Sequence, residues 1–183
     1  MACQPWGQPP SCQPRCGPLY QCPQYQCLQP SPLPPSLPTP VTFQASLATA
    51  TALAATSATP VLFASVTTAP TPGTAYNAGA GSFVAPRAGN YLFTTSLTWF
   101  SATAGTQLSV AILKNGLPAL QATGTQSGTG STTNLSNSQV TGILTLALGD
   151  IVSVQATADA ASTVLNVAGP STPAVSFFSG TSC

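Results

Sequence analysis

Charge is what this sequence has least of. Its 183 residues hold three basic side chains, Arg15, Arg87 and Lys114, two acidic ones, Asp150 and Asp159, and no histidine. Without histidine no side chain has an unperturbed pKa near neutrality, so general acid–base catalysis lacks its usual carrier. Serine and threonine abound, but with no base beside them they are not activated nucleophiles, and a Ser-Lys arrangement through Lys114 is the one pairing left. We therefore read no enzyme, no catalytic residue and no cofactor. Three cations spread over the chain cannot make the electrostatic footprint that nucleic acid needs. The two carboxylates fall short of the oxygen set that calcium wants. Long apolar runs are missing too: the hydrophobic 43% is dispersed among Thr, Ser and Gly, and nothing approaches the ~20 residues of a spanning helix. The opening MACQPWGQPP has neither a basic start nor an apolar core, so no secretory signal is read and synthesis in the cytosol is expected. A formal net charge of +1 gives copies little mutual repulsion, and self-association is the expectation.

What is present comes in two textures. Residues 1–40 contain 12 of the 19 prolines and seven glutamines. Proline lacks an amide donor and fixes its own dihedral, so this segment is expected to be an extended arm rather than helix or central strand. Within it lie Cys3, Cys12, Cys16, Cys22 and Cys27, and the sixth cysteine is Cys183. The spacings contain no C-x-x-C pair and no histidine stands by, which argues against a metal site. A small disulfide knot, free thiols and covalent cross-linking between subunits stay open. Cross-linking leads, because an odd cluster on an extended arm is placed to meet other chains. Such bonds persist only in an oxidising compartment, which a chain without a signal reaches by release on cell lysis. Trp6, Leu19, Tyr20 and Tyr25 give this polar arm a few apolar anchors that could dock on another subunit.

From Val41 onward the pattern is that of many short strands broken by turn residues, an all-β domain over 41–183. Alternation predicts strands at 41–45, at 60–68 with Val61, Phe63 and Ser65 on one face, and at 91–101 with Tyr91, Phe93, Thr95, Leu97 and Trp99 turned to the core. The stretch 46–60 reads as extended or loop. Gln107 to Lys114 runs into Asn115-Gly116, a dipeptide suited to a tight hairpin, and 123–138 reads as an exposed loop or weakly paired polar strand. Strand 140–148 carries apolar groups on both faces, Leu148 included, so that a neighbouring subunit is expected to cover one of them. Asp150 is read as a turn residue accepting backbone amides, and Arg87 as a solvated charge or a partner for Asp150 or Asp159 of a neighbour. Segments 163–167 and 174–180 supply the final strands.

The chain is organised around 76–93, YNAGAGSFVAPRAGNYLF. There Tyr76, Phe83, Gly89, Tyr91 and Phe93 follow, one by one, the spacing of C1q-like heads, and the sequence resembles that jelly-roll family of the tumour-necrosis-factor type. Further on, Lys114-Asn115-Gly116 resembles the family's hairpin turn, Leu146 to Val152 with Gly149 and Asp150 its penultimate strand, and Phe177-Phe178-Ser179-Gly180 its closing strand. Thr71 and Thr95 depart from the pattern, which has Asn or Asp at the first and a large residue at the second.

This resemblance implies a C1q/TNF-like jelly-roll sandwich that forms homotrimers. It further implies that the first and last strands are neighbours, so that Cys183 sits near Val41 as a docking point for an arm cysteine. The sequence is also similar to the C-terminal heads of bacterial spore-surface (exosporium) filament proteins. Together these expectations describe a structural subunit whose trimers stack through disulfide-forming arms into a fibre or layer on a spore or cell surface, or are held there by a coat or exosporium anchor protein. A lectin-like adhesive head with 123–138 at its apex, and a viral fibre or decoration protein, are the alternatives.

Overall fold

The computed structural model describes residues 39–128, 135–165 and 176–183, and every regular element among them is a strand. The arm cysteines, Trp6, Leu19, Tyr20 and Tyr25 lie outside the described residues. Seven strands form one sheet: β1 (Thr42–Ser46), β2 (Thr51–Leu53), β4 (Ser65–Thr71), β7 (Gly89–Ser101), β10 (Ser136–Leu146), β12 (Ser162–Val164) and β13 (Phe177–Ser182). Six form the other: β3 (Thr59–Pro60), β5 (Tyr76–Asn77), β6 (Ser82–Val84), β8 (Gln107–Lys114), β9 (Leu117–Thr125) and β11 (Ile151–Ala158). All named strands pair antiparallel. The result is the all-β jelly-roll sandwich that the sequence implied.

Strand β7 is the spine of the larger sheet. Along one side it pairs with β10 from Gly89 to Trp99. Along the other, β13 and β12 lie end to end, β13 against Tyr91 to Ser96 and β12 against Trp99 to Ser101. Strand β1 then joins β13, with Phe43 opposite Gly180, and β4 closes the far edge. First and last strands are thus neighbours: Ser182 donates its amide to Val41 O at 2.8 Å and Val41 N donates to Ser182 Oγ at 2.9 Å.

The alternation in β7 decides what is buried, because successive side chains point to opposite faces of a strand. Tyr91, Phe93, Thr95, Leu97 and Trp99 all point into the sandwich and are at most 1% exposed. Thr95, where the resemblance leads one to expect a large residue, donates Oγ1 to Phe177 O at 2.9 Å, and Trp99 Nε1 donates to Ser138 Oγ at 3.0 Å. Each polar group buried here has the partner that burial demands. Around Phe43 the aromatic rings gather: Tyr76 and Phe83 stack on it with centroids 4.6 and 5.2 Å away, and Phe178 meets it edge-on at 5.1 Å. Tyr76 donates its hydroxyl to Phe63 O at 2.8 Å, and burial pushes that phenol's pKa upward.

Four expectations need correction. Residues 60–68 are not one strand: the chain leaves the smaller sheet at Pro60 and enters the larger at Ser65, and Val61 and Phe63 fill the core at the crossing while Ser65 is exposed. Strand β10 stops at Leu146, and Leu148 stands exposed in the turn that follows. Phe177 is only partly buried, whereas its neighbour Phe178 reaches the core. Of the stretch 123–138, residues 123–125 belong to β9, paired with β8, and 136–138 to β10, paired with β7, with Gln126 and Ser138 buried.

Candidate functional site

The outward face of the seven-stranded sheet is built by the residues that alternate with the core positions. From β7 come Leu92 and Thr94, from β10 Gln139, Thr141, Ile143 and Thr145, from β13 Ser179 and Thr181, and from β1 Thr42 and Gln44. No charged residue is among them. Hydroxyls tie neighbouring strands: Thr141 Oγ1 donates to Thr94 Oγ1 at 3.1 Å, and Thr145 Oγ1 to Asn90 Oδ1 at 2.8 Å. Ile143 stands 59% exposed on β10, the edge strand beside β7. A trough of about 260 Å³ runs beside it, lined by Thr42, Gln44, Thr68, Leu92, Thr94 and Ser179 among others. Chemically, the surface can bury against something uncharged and offers nothing to hold an ion.

The charges sit instead on loops and, for Lys114, at a strand end, three of the four described ones at the end where Val41 and Cys183 lie. Cys183 is exposed, and its amide donates to Asn90 O at 2.9 Å. Beside it, Arg87 Nη2 donates to Ser182 Oγ at 3.3 Å, while Tyr91 Oη clasps Arg87 O at 2.8 Å. Contacts run on from Asn90 through Thr145 to Lys114, whose ammonium donates to Thr145 O at 2.8 Å and pairs with Asp150 Oδ2 at 3.0 Å. Asp150 accepts Asn115 Nδ2 at 2.8 Å and the amide of Ala147 at 2.8 Å. Its carboxylate is therefore engaged within its own chain, by Lys114. The preceding Gly149 takes a φ of 85°, a conformation glycine adopts without strain.

These donors, the Asn115 side chain first, then the Ala147 amide and the Lys114 ammonium, hold the Asp150 carboxyl at a pKa of about 2 against an ordinary 3.8. A carboxyl lowered on folding contributes stability that is complete above its ordinary pKa and is lost as pH falls through its folded value. Melting curves between pH 5 and pH 2 should accordingly fall more steeply for the natural chain than for Asp150→Asn, in the window from 3.8 down to about 2. Parallel curves would remove Asp150 from the account of acid sensitivity.

At the opposite end lies a residue that the sequence did not mark. Gln126 is 1% exposed; its Oε1 accepts Ser101 N at 2.8 Å, and its Nε2 donates to Ser101 O at 2.9 Å and to Gly128 O at 2.8 Å. A glutamine in a run of Gly, Ser and Thr carries no periodic signal, so only the tertiary contact reveals it.

Comparison with known proteins gives one family and several solved structures of one fold. The family model of the C1q domain matches residues 42–181. Murine APRIL at pH 5.0 superposes with a TM-score of 0.56 and 15% identity over 79% of this chain and 100% of that one. Eiger TNF from S. frugiperda gives 0.52 and 16% over 79% and 91%, and the globular domain of zebrafish complement 1qA 0.52 and 14% over 76% and 94%. At such identities the likeness is one of fold. No curated protein matches.

Proposed function

Because this chain belongs to the C1q domain family, we propose that it is a non-enzymatic structural subunit: a homotrimer whose arms, residues 1–40, link trimers into an extracellular fibre or surface layer such as a spore appendage or exosporium. The observation that carries the reading is the charge-free outward face of the seven-stranded sheet, with Ile143 exposed on its edge strand β10 and a trough across the neighbouring strands. An exposed apolar side chain amid satisfied hydroxyls is inexpensive to desolvate, which suits burial against another copy. In a closed ring of three, this heterologous contact is used up, and further growth needs a second surface. The second surface is the end at which Val41, exposed Cys183 and the arm's point of attachment come together. Disulfides from Cys3, Cys12, Cys16, Cys22 or Cys27 to a neighbour, Cys183 among the acceptors, lock the stack.

Electron microscopy and non-reducing electrophoresis test this, with the full chain beside a truncation beginning at Val41. We expect filaments and reductant-sensitive ladders from the full chain and isolated trimers from the truncation. Lone trimers from both would make the arm an anchor to a coat or exosporium protein instead. The adhesive-head reading has one observation in its favour: Gln126 clamps the strand ends from which the loop after β9 departs, a rigid base for a recognition loop. A glycan array separates the two.

A further inference from the structure

We infer that Asn115-Gly116 is a deamidation site held shut by the turn after β10, with Asp150 as the positioning residue that locks it; the inference is independent of the assembly just proposed. This is the single Asn-Gly pair in the chain. Such a pair is chemically weak because the glycine amide is unhindered. Once deprotonated, Gly116 N can attack Asn115 Cγ; a C–N bond forms, the Cγ–Nδ2 bond breaks, and ammonia leaves with the proton. Water then opens the cyclic imide at either carbonyl to give aspartate or isoaspartate. The tip of an exposed hairpin, with φ of 51° at Asn115 and 81° at Gly116, is where this would be expected to run unchecked.

Attack requires Cγ to swing over the next amide, and here the side-chain amide is held at both atoms. Nδ2 donates to Asp150 Oδ1 at 2.8 Å, and Oδ1 accepts Ile151 N at 2.8 Å. The Asn115 backbone amide also donates to Ile151 O at 2.8 Å. Asp150 is fixed in its turn by Ala147 N and by Lys114, so the lock is itself anchored. The lock protects the hairpin, because conversion would set a second carboxylate against Asp150 where an amide donor now stands. The isoaspartate form would in addition lengthen a two-residue turn by one backbone atom.

The test is to age the full chain at mildly alkaline pH and map Asn115 by peptide mass spectrometry with isoaspartate detection. Folded wild-type protein is expected to keep Asn115 while the same chain in urea loses it. Folded Asp150→Ala, its fold checked by near-ultraviolet circular dichroism, should convert about tenfold faster than folded wild type, the kinetic equivalent of roughly one lost charge-assisted hydrogen bond. Lys114→Met, which leaves the Asn115–Asp150 contact in place, should stay close to wild type. Equal conversion of wild-type protein with and without urea overturns the inference even if Asp150→Ala does not fold, and so does a folded Asp150→Ala that ages no faster than wild type.

Discussion

Gly180→Val is expected to destabilise the domain strongly. Gly180 lies on β13 directly between Phe43 of β1 and Phe93 of β7, and the two rings lean into the space its missing side chain leaves. A Cβ at this position would come within 2.5 Å of Phe43 Cε1 and 2.7 Å of Phe93 Cε1, closer than carbon atoms tolerate. Neither ring can yield freely, since Phe43 is stacked on Tyr76 and Phe83, and Phe93 on Phe178. Gly180→Ala should therefore lose roughly 1–3 kcal/mol, the usual range for overpacking, and the valine more. The denaturant midpoint should fall with the slope unchanged, and Phe43→Leu should recover part of the loss in the alanine background. A valine variant with a wild-type midpoint would show that the rings have room to move.

Thr94→Lys and Ile143→Lys are expected to turn the proposed trimer into monomers. Each adds a cation to an outward face that carries none, in the first case inside the trough, in the second at its most exposed apolar residue. Burying it in threefold repetition leaves three uncompensated charges, at ~3–5 kcal/mol apiece. Light scattering after size exclusion reads the mass, and circular dichroism confirms that the strands persist. Thr123→Lys, exposed on the edge of the smaller sheet, serves as the control and should stay trimeric. Monomers from Thr123→Lys with trimers from the other two would move the interface to the smaller sheet.

Much of the domain is legible in the sequence where side chains of unequal character alternate. In β7 the bulk of Tyr91, Phe93, Leu97 and Trp99 against Thr and Ser fixes which face turns inward, and Asn115-Gly116 has the backbone preference that its hairpin requires. Where both alternating positions are apolar, the signal vanishes. Phe177 and Phe178 are equally hydrophobic, and only the register of Phe178 with Ala45 and Thr95 selects the second for the core. Periodicity is also blind to a change of sheet: Val61 and Phe63 alternate as in a strand, yet Val61 N still donates to Val154 O of β11 in the smaller sheet, while Phe63 O accepts the Tyr76 hydroxyl just before the chain enters the larger one. The ion pair of Lys114 with Asp150 joins a hairpin and a turn that are each legible in the sequence, but nothing in one dimension says that they meet. A buried glutamine such as Gln126 is distinguished by its partners alone.

Strand β13 stands between β1 and β7, and it is the last of the strands in chain order. Val41 and Ser182, which bond to each other, are 141 residues apart. During synthesis, then, the first strand emerges with its inner edge unpaired and must wait for almost the whole domain to follow. Pairings this distant close slowly, since loop-closure entropy is met before any contact compensates it. Until β13 arrives, the two halves of the larger sheet expose uncharged edges that repel nothing, in many copies at once. Folding of this domain is thus a race between its own closing strand and the edges of its neighbours, and a cell that makes it in quantity has reason to hold nascent chains apart until the final strand is out.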